Sequence, residues 1–108
     1  MTANDIIPEL TNGEFEKFTK EGTVLIDFFA EWCMPCVMMG PILEDLSEEF
    51  KEKVKIGKVN IEDNQDLASK FGVSSIPNFV LFKDGQVVEQ IIGAMNQEDL
   101  GNVLRDHL

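Results

Sequence analysis

An α/β fold, with helices on both faces of a central mixed sheet of four to five strands, follows from three observations. Segments with strand-like apolar runs alternate with segments of helical spacing along the chain. The early run Val24-Leu25-Ile26-Asp27-Phe28-Phe29 is apolar on both parities except at Asp27, the pattern of a strand covered on both faces. In the second half, Lys83-Asp84-Gly85-Gln86 joins two apolar runs by an Asp-Gly turn, a hairpin signature that makes the sheet mixed. The 108 residues, 44% of them hydrophobic and 27% charged, fit one domain spanning 1–108. A chain of this size forms a real core without disulfide staples or a structural metal.

Thr11-Asn12-Gly13-Glu14 has the form of a capping box, Phe15 and Phe18 share a helical face, and Gly22 can end a short helix. The strand 24–29 comes next. A long helix then carries Met39, Leu43, Leu46 and Phe50 at steps of three and four. Pro41 lies inside it and removes the hydrogen bond to the Val37 carbonyl, so a kink is expected one turn past the cysteines. Val54 to Ile61 reads as a second strand, and Asp63 can cap a helix bearing Leu67, Ala68 and Phe71 that stops at Gly72. After Phe79–Phe82, the turn and Val87–Ile92, Asn96 with Asp99 can cap a last helix with Leu100, Val103, Leu104 and Leu108 in one stripe.

Nine Lys and Arg against 20 Asp and Glu give a net charge of −11. That charge repels phosphate backbones and anionic lipid, which excludes nucleic acid and membrane surfaces as partners. No Lys or Arg occurs from Glu21 to Phe50, and both cysteines lie inside that stretch. The first fifteen residues lack a basic, apolar leader and nothing approaches a membrane span, so a cytoplasmic location is expected, with a mature exported chain as the alternative. In the cytoplasm a close cysteine pair points to transient redox chemistry.

Cys33 and Cys36 are three apart at the start of a helix, after a buried strand. Helical neighbours at that spacing have Cα atoms within the roughly 4.4–6.8 Å that a disulfide needs. Closing so short a loop stabilises by only about 2 kcal/mol, against about 3 kcal/mol for a fifteen-residue loop, so the pair suits a switch better than a staple. Orphan amides and the helix dipole at the N-terminus favour a thiolate at Cys33, the natural attacking group. Cys36, one turn in, is expected to be more buried and to resolve the mixed disulfide. Pro35 offers the Cys33 sulfur neither an N–H nor a charge, which makes the couple more reducing.

The run from Val24 through Trp32-Cys33-Met34-Pro35-Cys36, with Pro41, Ile76-Pro77 and Gly93-Ala94 at the matching distances, resembles the thioredoxin family over essentially the whole chain. The resemblance implies the thioredoxin fold and a protein-disulfide reductase, a thioredoxin-type electron carrier without a cofactor. It implies that Cys33 attacks a client disulfide and Cys36 releases the product. Disulfide-containing client proteins are the implied substrates, and a thioredoxin reductase of unspecified type restores the dithiol. A monomer is expected. Ile76-Pro77 is implied to be a cis peptide against the cysteines, with the Ile76 backbone pairing an extended client segment. X-Pro bonds are mostly trans, so only the resemblance supplies that isomer.

Asp27, interrupting a doubly covered strand, matches the family's buried acid, which exchanges a proton with the inner cysteine; a partly wet edge carboxylate is the plainer reading. Lys58 shares the parity of Val54 and Ile56 and can reach inward to Asp27, or it is a solvated strand lysine. Trp32 shapes and shields the site, or is mere core. With Met34, Pro35, Ile76, Pro77, Gly93 and Ala94 it completes the implied client groove, plain packing at the sheet end being the other reading of Gly93 and Ala94. His107, near the end of the last helix, is placed for the helix dipole and not for catalysis.

The sequence departs from the family at Met34, usually Gly, at Val37, usually Lys, at Phe29, usually Trp, and at Asn78, usually Thr. These make the rim of the site more apolar and remove its nearest cation. Two rival functions stand beside the reductase: a non-catalytic module that binds through the groove, and a metal site. Two sulfurs and one remote histidine fall short of four zinc ligands, so a metal would need two copies sharing their cysteine pairs.

Overall fold

The computed structural model describes residues 6–108; residues 1–5, which open the stretch read above for a leader, lie outside the described residues. The elements in order are α1 (Asn12–Thr19), β1 (Thr23–Phe29), α2 (Met34–Glu49), β2 (Val54–Asn60), α3 (Gln65–Lys70), β3 (Asn78–Lys83), β4 (Gln86–Ile92) and α4 (Gln97–Asp106). The strands form one mixed sheet of order β2-β1-β3-β4, with β1 parallel to β2 and both β1–β3 and β3–β4 antiparallel. The segment before α1 adds to the β2 edge: Leu10 N–H donates to the Lys58 carbonyl, and Lys58 N–H to the Pro8 carbonyl.

Helices do lie on both faces, and the alternation of β1 decides which residues meet which layer. On one face Leu25, with Ile56, Phe79 and Leu81, packs against Met39, Leu43 and Leu46 of α2 and Leu100 and Leu104 of α4. On the other, Val24, Ile26 and Phe28 pack with Phe15 of α1 and Leu67 of α3. Phe82 stands edge-on to Phe15 and Phe71 there, with ring centroids 5.6 Å and 5.4 Å away. Each such fully buried apolar side chain contributes roughly 1.5–3 kcal/mol.

The hairpin turn is as the sequence requires. Asp84 and Gly85 both have positive φ, 50° and 85°, the pair of left-handed conformations that a two-residue turn of this kind needs. The Asp84 carboxylate also accepts from Gly22 N–H at 2.8 Å, while Asp84 N–H donates to the Gly22 carbonyl at 2.9 Å. The α1 cap forms through Glu14, whose carboxylate accepts from the Thr11 N–H at 2.8 Å and from its hydroxyl at 3.1 Å. Asn96 Oδ1 caps α4 by accepting from Asp99 N–H at 2.8 Å.

Two expectations are corrected. Asn64, not Asp63, is the N-cap residue of α3, and it makes no side-chain capping bond because its buried side chain is tied elsewhere in the fold: Oδ1 accepts from Asn12 N–H and Nδ2 donates to the Asn60 carbonyl. Leu108 falls beyond the end of α4, past the C-cap His107, and is exposed instead of joining the stripe of Leu100 and Leu104. α2 continues as one helix through Pro41.

Candidate active site

β1 ends at Phe29, and four residues later the chain turns into α2 with Cys33 as the N-cap residue in extended conformation. Pro35 occupies the first turn, where its missing N–H sacrifices no helical hydrogen bond. Cys33 and Cys36 are joined as a disulfide with Cα atoms 5.3 Å apart, within the range the spacing predicts. The Cys36 N–H donates to the Cys33 sulfur at 3.3 Å, so the pole of α2 presents an amide to that atom. Cys36 is not the more buried of the two: Cys33 is 4% exposed and Cys36 6%. Ala30 and the partly buried Phe29, Ile61 and Ile76 pack around both, so burial does not distinguish them, and their positions relative to the helix end do.

Ile76-Pro77 is cis, as the resemblance implies, and Ile76 lies against the cysteines. Gly93, at the end of β4, donates its N–H to the Pro77 carbonyl at 2.8 Å, which brings Gly93 and exposed Ala94 beside the proline loop. Gly93 has a φ of 101°, a conformation open to glycine and rarely to other residues.

Asp27 is 3% exposed, and Lys58 is its Cα partner across the parallel β1–β2 ladder. Burial pushes the Asp27 carboxyl up to about 7, and the Lys58 charge opposes part of that rise. A carboxyl titrating near neutrality can both accept and return a proton at physiological pH. Lys58 Nζ sits 5.2 Å from the centre of the Phe29 ring. A cleft of about 650 Å³ reaches Asp27, Lys58 and Cys36 past Pro41, with Glu31 and Glu44 also on its walls. The two charged residues and the inner cysteine therefore share one solvent route.

Trp32 is 65% exposed, which excludes the plain core reading, and its indole N–H donates to a Glu62 carboxylate oxygen at 3.0 Å. Glu62 was not identified from the sequence: it lies thirty positions from Trp32, and no pattern links the two. Met34, Val37 and Met38 are also exposed, at 66%, 54% and 70%. Pro35 is exposed as well. His107 is the C-cap residue of α4, and its Nε2 lies 3.2 Å from a carboxylate oxygen of Glu89 in β4.

Residues 6–106 match the family model described as Thioredoxin. The chain is 44% identical to the thioredoxin of Bacillus subtilis (strain 168), over 94% of this chain and 98% of that one. It is also 44% identical to the thioredoxin of Listeria monocytogenes, over 95% of this chain and all of its relative. Among solved structures it resembles a mutant thioredoxin from Halobacterium salinarum, with a TM-score of 0.87 and 32% identity, over 98% of this chain and 94% of the other.

Proposed function

The chain belongs to the thioredoxin family, and from that membership and the site geometry we infer what each residue does in the reaction. It is a thiol–disulfide oxidoreductase, a protein-disulfide reductase with the thioredoxin fold.

In the reduced protein the Cys33 thiolate attacks one sulfur of a client disulfide, forming a mixed disulfide and expelling the first client thiolate. Cys36 loses its proton to the Asp27 carboxylate and attacks the Cys33 sulfur, which expels the second client thiolate and leaves Cys33–Cys36 oxidised. Lys58 holds Asp27 from rising further and so keeps a fraction ionised at neutral pH. Trp32, Met34, Pro35, Ile76, Pro77, Gly93 and Ala94 form the surface that receives the client. The observation that carries this reading is the shared cleft: Asp27 and Cys36 line the same space, and Cys36 lies one turn into the helix that Cys33 caps.

The partners we assign are proteins with accessible disulfides and a reductase that returns two electrons to the Cys33–Cys36 disulfide. Nucleic acid and membrane surfaces do not fit a net charge of −11. Among the described residues no helix is long and apolar enough to cross a membrane. A monomer carrying electrons in the cytoplasm is the setting that suits a dithiol with no cofactor.

The test uses two variants. Cys33→Ser abolishes insulin disulfide reduction, whereas Cys36→Ser accumulates mixed disulfides that non-reducing electrophoresis resolves. Full insulin reduction by the Cys33→Ser protein would overturn the assignment.

A further inference from the structure

We propose that Met34 and Met38 form a methionine oxidation site, which a hydroperoxide converts to sulfoxides while Cys33 and Cys36 are joined, weakening the docking of disulfide partners. The proposal rests on the reading that clients dock on the face around Cys33.

The two methionines are four apart in α2 and therefore neighbours on one helical face. They are 66% and 70% exposed, whereas Met39, the next residue, is 1% exposed in the core between α2 and the sheet. Met95 is partly buried against the same core. An oxidant in solution thus meets two thioethers at the rim of the redox pair and is kept from another one residue away.

The chemistry balances without any further reactant. A thioether lone pair attacks one peroxide oxygen, the O–O bond breaks, and an S–O bond forms. The departing oxygen takes up a proton and leaves as water or an alcohol. Sulfur is oxidised by two electrons and the peroxide is reduced by two. With both cysteines held in the disulfide, no thiolate competes for the oxidant.

The product changes the surface on which the thioethers stand. Trp32 and Val37, close in sequence, are exposed apolar side chains too, and the stretch 21–50 that carries all four holds no Lys or Arg. A partner covering this face must strip water from each sulfoxide, a cost the thioethers do not impose.

The experiment treats the disulfide form with dilute hydrogen peroxide, follows oxygen uptake by peptide mass mapping, and then measures dithiothreitol-driven reduction against insulin concentration. Met34 and Met38 gain oxygen well before Met39 and Met95. The half-saturating insulin concentration rises roughly fourfold, the effect of losing about one buried methylene's worth of apolar contact, with the maximal rate little changed. A Met34→Leu, Met38→Leu variant, compared with its own untreated sample, does not respond to peroxide. Oxidation of Met39 or Met95 at the same rate overturns the proposal, as does an unchanged half-saturating concentration in the treated protein or an equal response in the double variant. Untreated protein that cannot reduce insulin sinks the docking reading, and the proposal with it; the untreated sample separates that failure from the others.

Discussion

Asp27 and Lys58 face each other across the β1–β2 ladder, yet the acid is 3% exposed and its Oδ1 has no hydrogen-bond partner among the described residues. The fold therefore holds a carboxylate at a cost. Its folded pKa of about 7 lies above the ordinary 3.8, so the native state binds this proton more tightly than the unfolded chain does. Below pH 3.8 both states are protonated and the cost vanishes; it grows as pH rises towards 7 and is constant above that. Asp27→Asn stabilises the protein above pH 7, by about 4 kcal/mol at the most, and leaves stability unchanged near pH 3. Urea unfolding at the two pH values checks this; equal effects at both would remove the carboxyl charge as the cause. The same variant slows insulin reduction, because Cys36 loses its proton acceptor.

Lys58→Met removes the charge that opposes the rise of the Asp27 pKa, so the Asp27 midpoint moves above about 7. The limb of the pH–rate profile that reports the ionised carboxylate moves with it. Carbon NMR titration of the Asp27 carboxyl follows the midpoint directly, and a midpoint that stays put contradicts the electrostatic role given to Lys58.

Glu62→Ala releases the indole N–H of Trp32 from its bond at 3.0 Å. Trp32 is the one tryptophan in the chain, so intrinsic fluorescence reports its environment without interference. A changed emission maximum is expected, together with a rise in the half-saturating client concentration corresponding to about 1 kcal/mol, the typical net worth of one hydrogen bond. Identical spectra would show that the ring is held by packing alone.

Gly57→Ala places a Cβ 2.9 Å from Leu10 Cδ1 and 3.0 Å from Phe18 Cε2. Both neighbours are side-chain ends that can give a little, so the loss belongs at the lower end of overpacking costs, about 1 kcal/mol. A urea midpoint at or above that of the parent protein contradicts it.

Met34→Gly with Val37→Lys exchanges two exposed apolar side chains for a bare backbone and a cation. If the apolar rim selects partners, turnover with the native reductase and clients falls while reduction of a small disulfide by the dithiol form is retained. Unchanged turnover with both kinds of substrate removes that role from the rim.

The parts of the molecule that local chemistry controls could be read from the chain. The single acid in an otherwise apolar β1 gave away both the strand and its most unusual group, and Asp84-Gly85 fixed the hairpin because few other residue pairs accept two positive φ values. What escaped was set by neighbours distant in sequence. Asn64, not Asp63, stands at the N-cap position of α3, and its side chain is held by the Asn12 N–H and the Asn60 carbonyl instead of capping the helix. Glu62 reached Trp32 across thirty positions. The cysteines, expected to differ in burial, are covered alike in one cluster with Ala30, against which Phe29, Ile61 and Ile76 pack from other parts of the chain. The cis geometry at Pro77 came only through likeness to a family, since nothing in the dipeptide itself demands it.

The position of β1 bears on how the protein comes apart. Flanked by β2 and β3 and covered by helices on both faces, its amides exchange with solvent only when the whole sheet opens, while β4 at the edge can fray at much lower cost. Asp27 rides on that slowest-exchanging strand, and Cys33 follows four residues after its end. As denaturant rises Asp27 is therefore expected to keep its place until global unfolding, whereas Gly93, which follows the edge strand and bonds to the Pro77 loop, is released with β4, so client docking fails before the fold does.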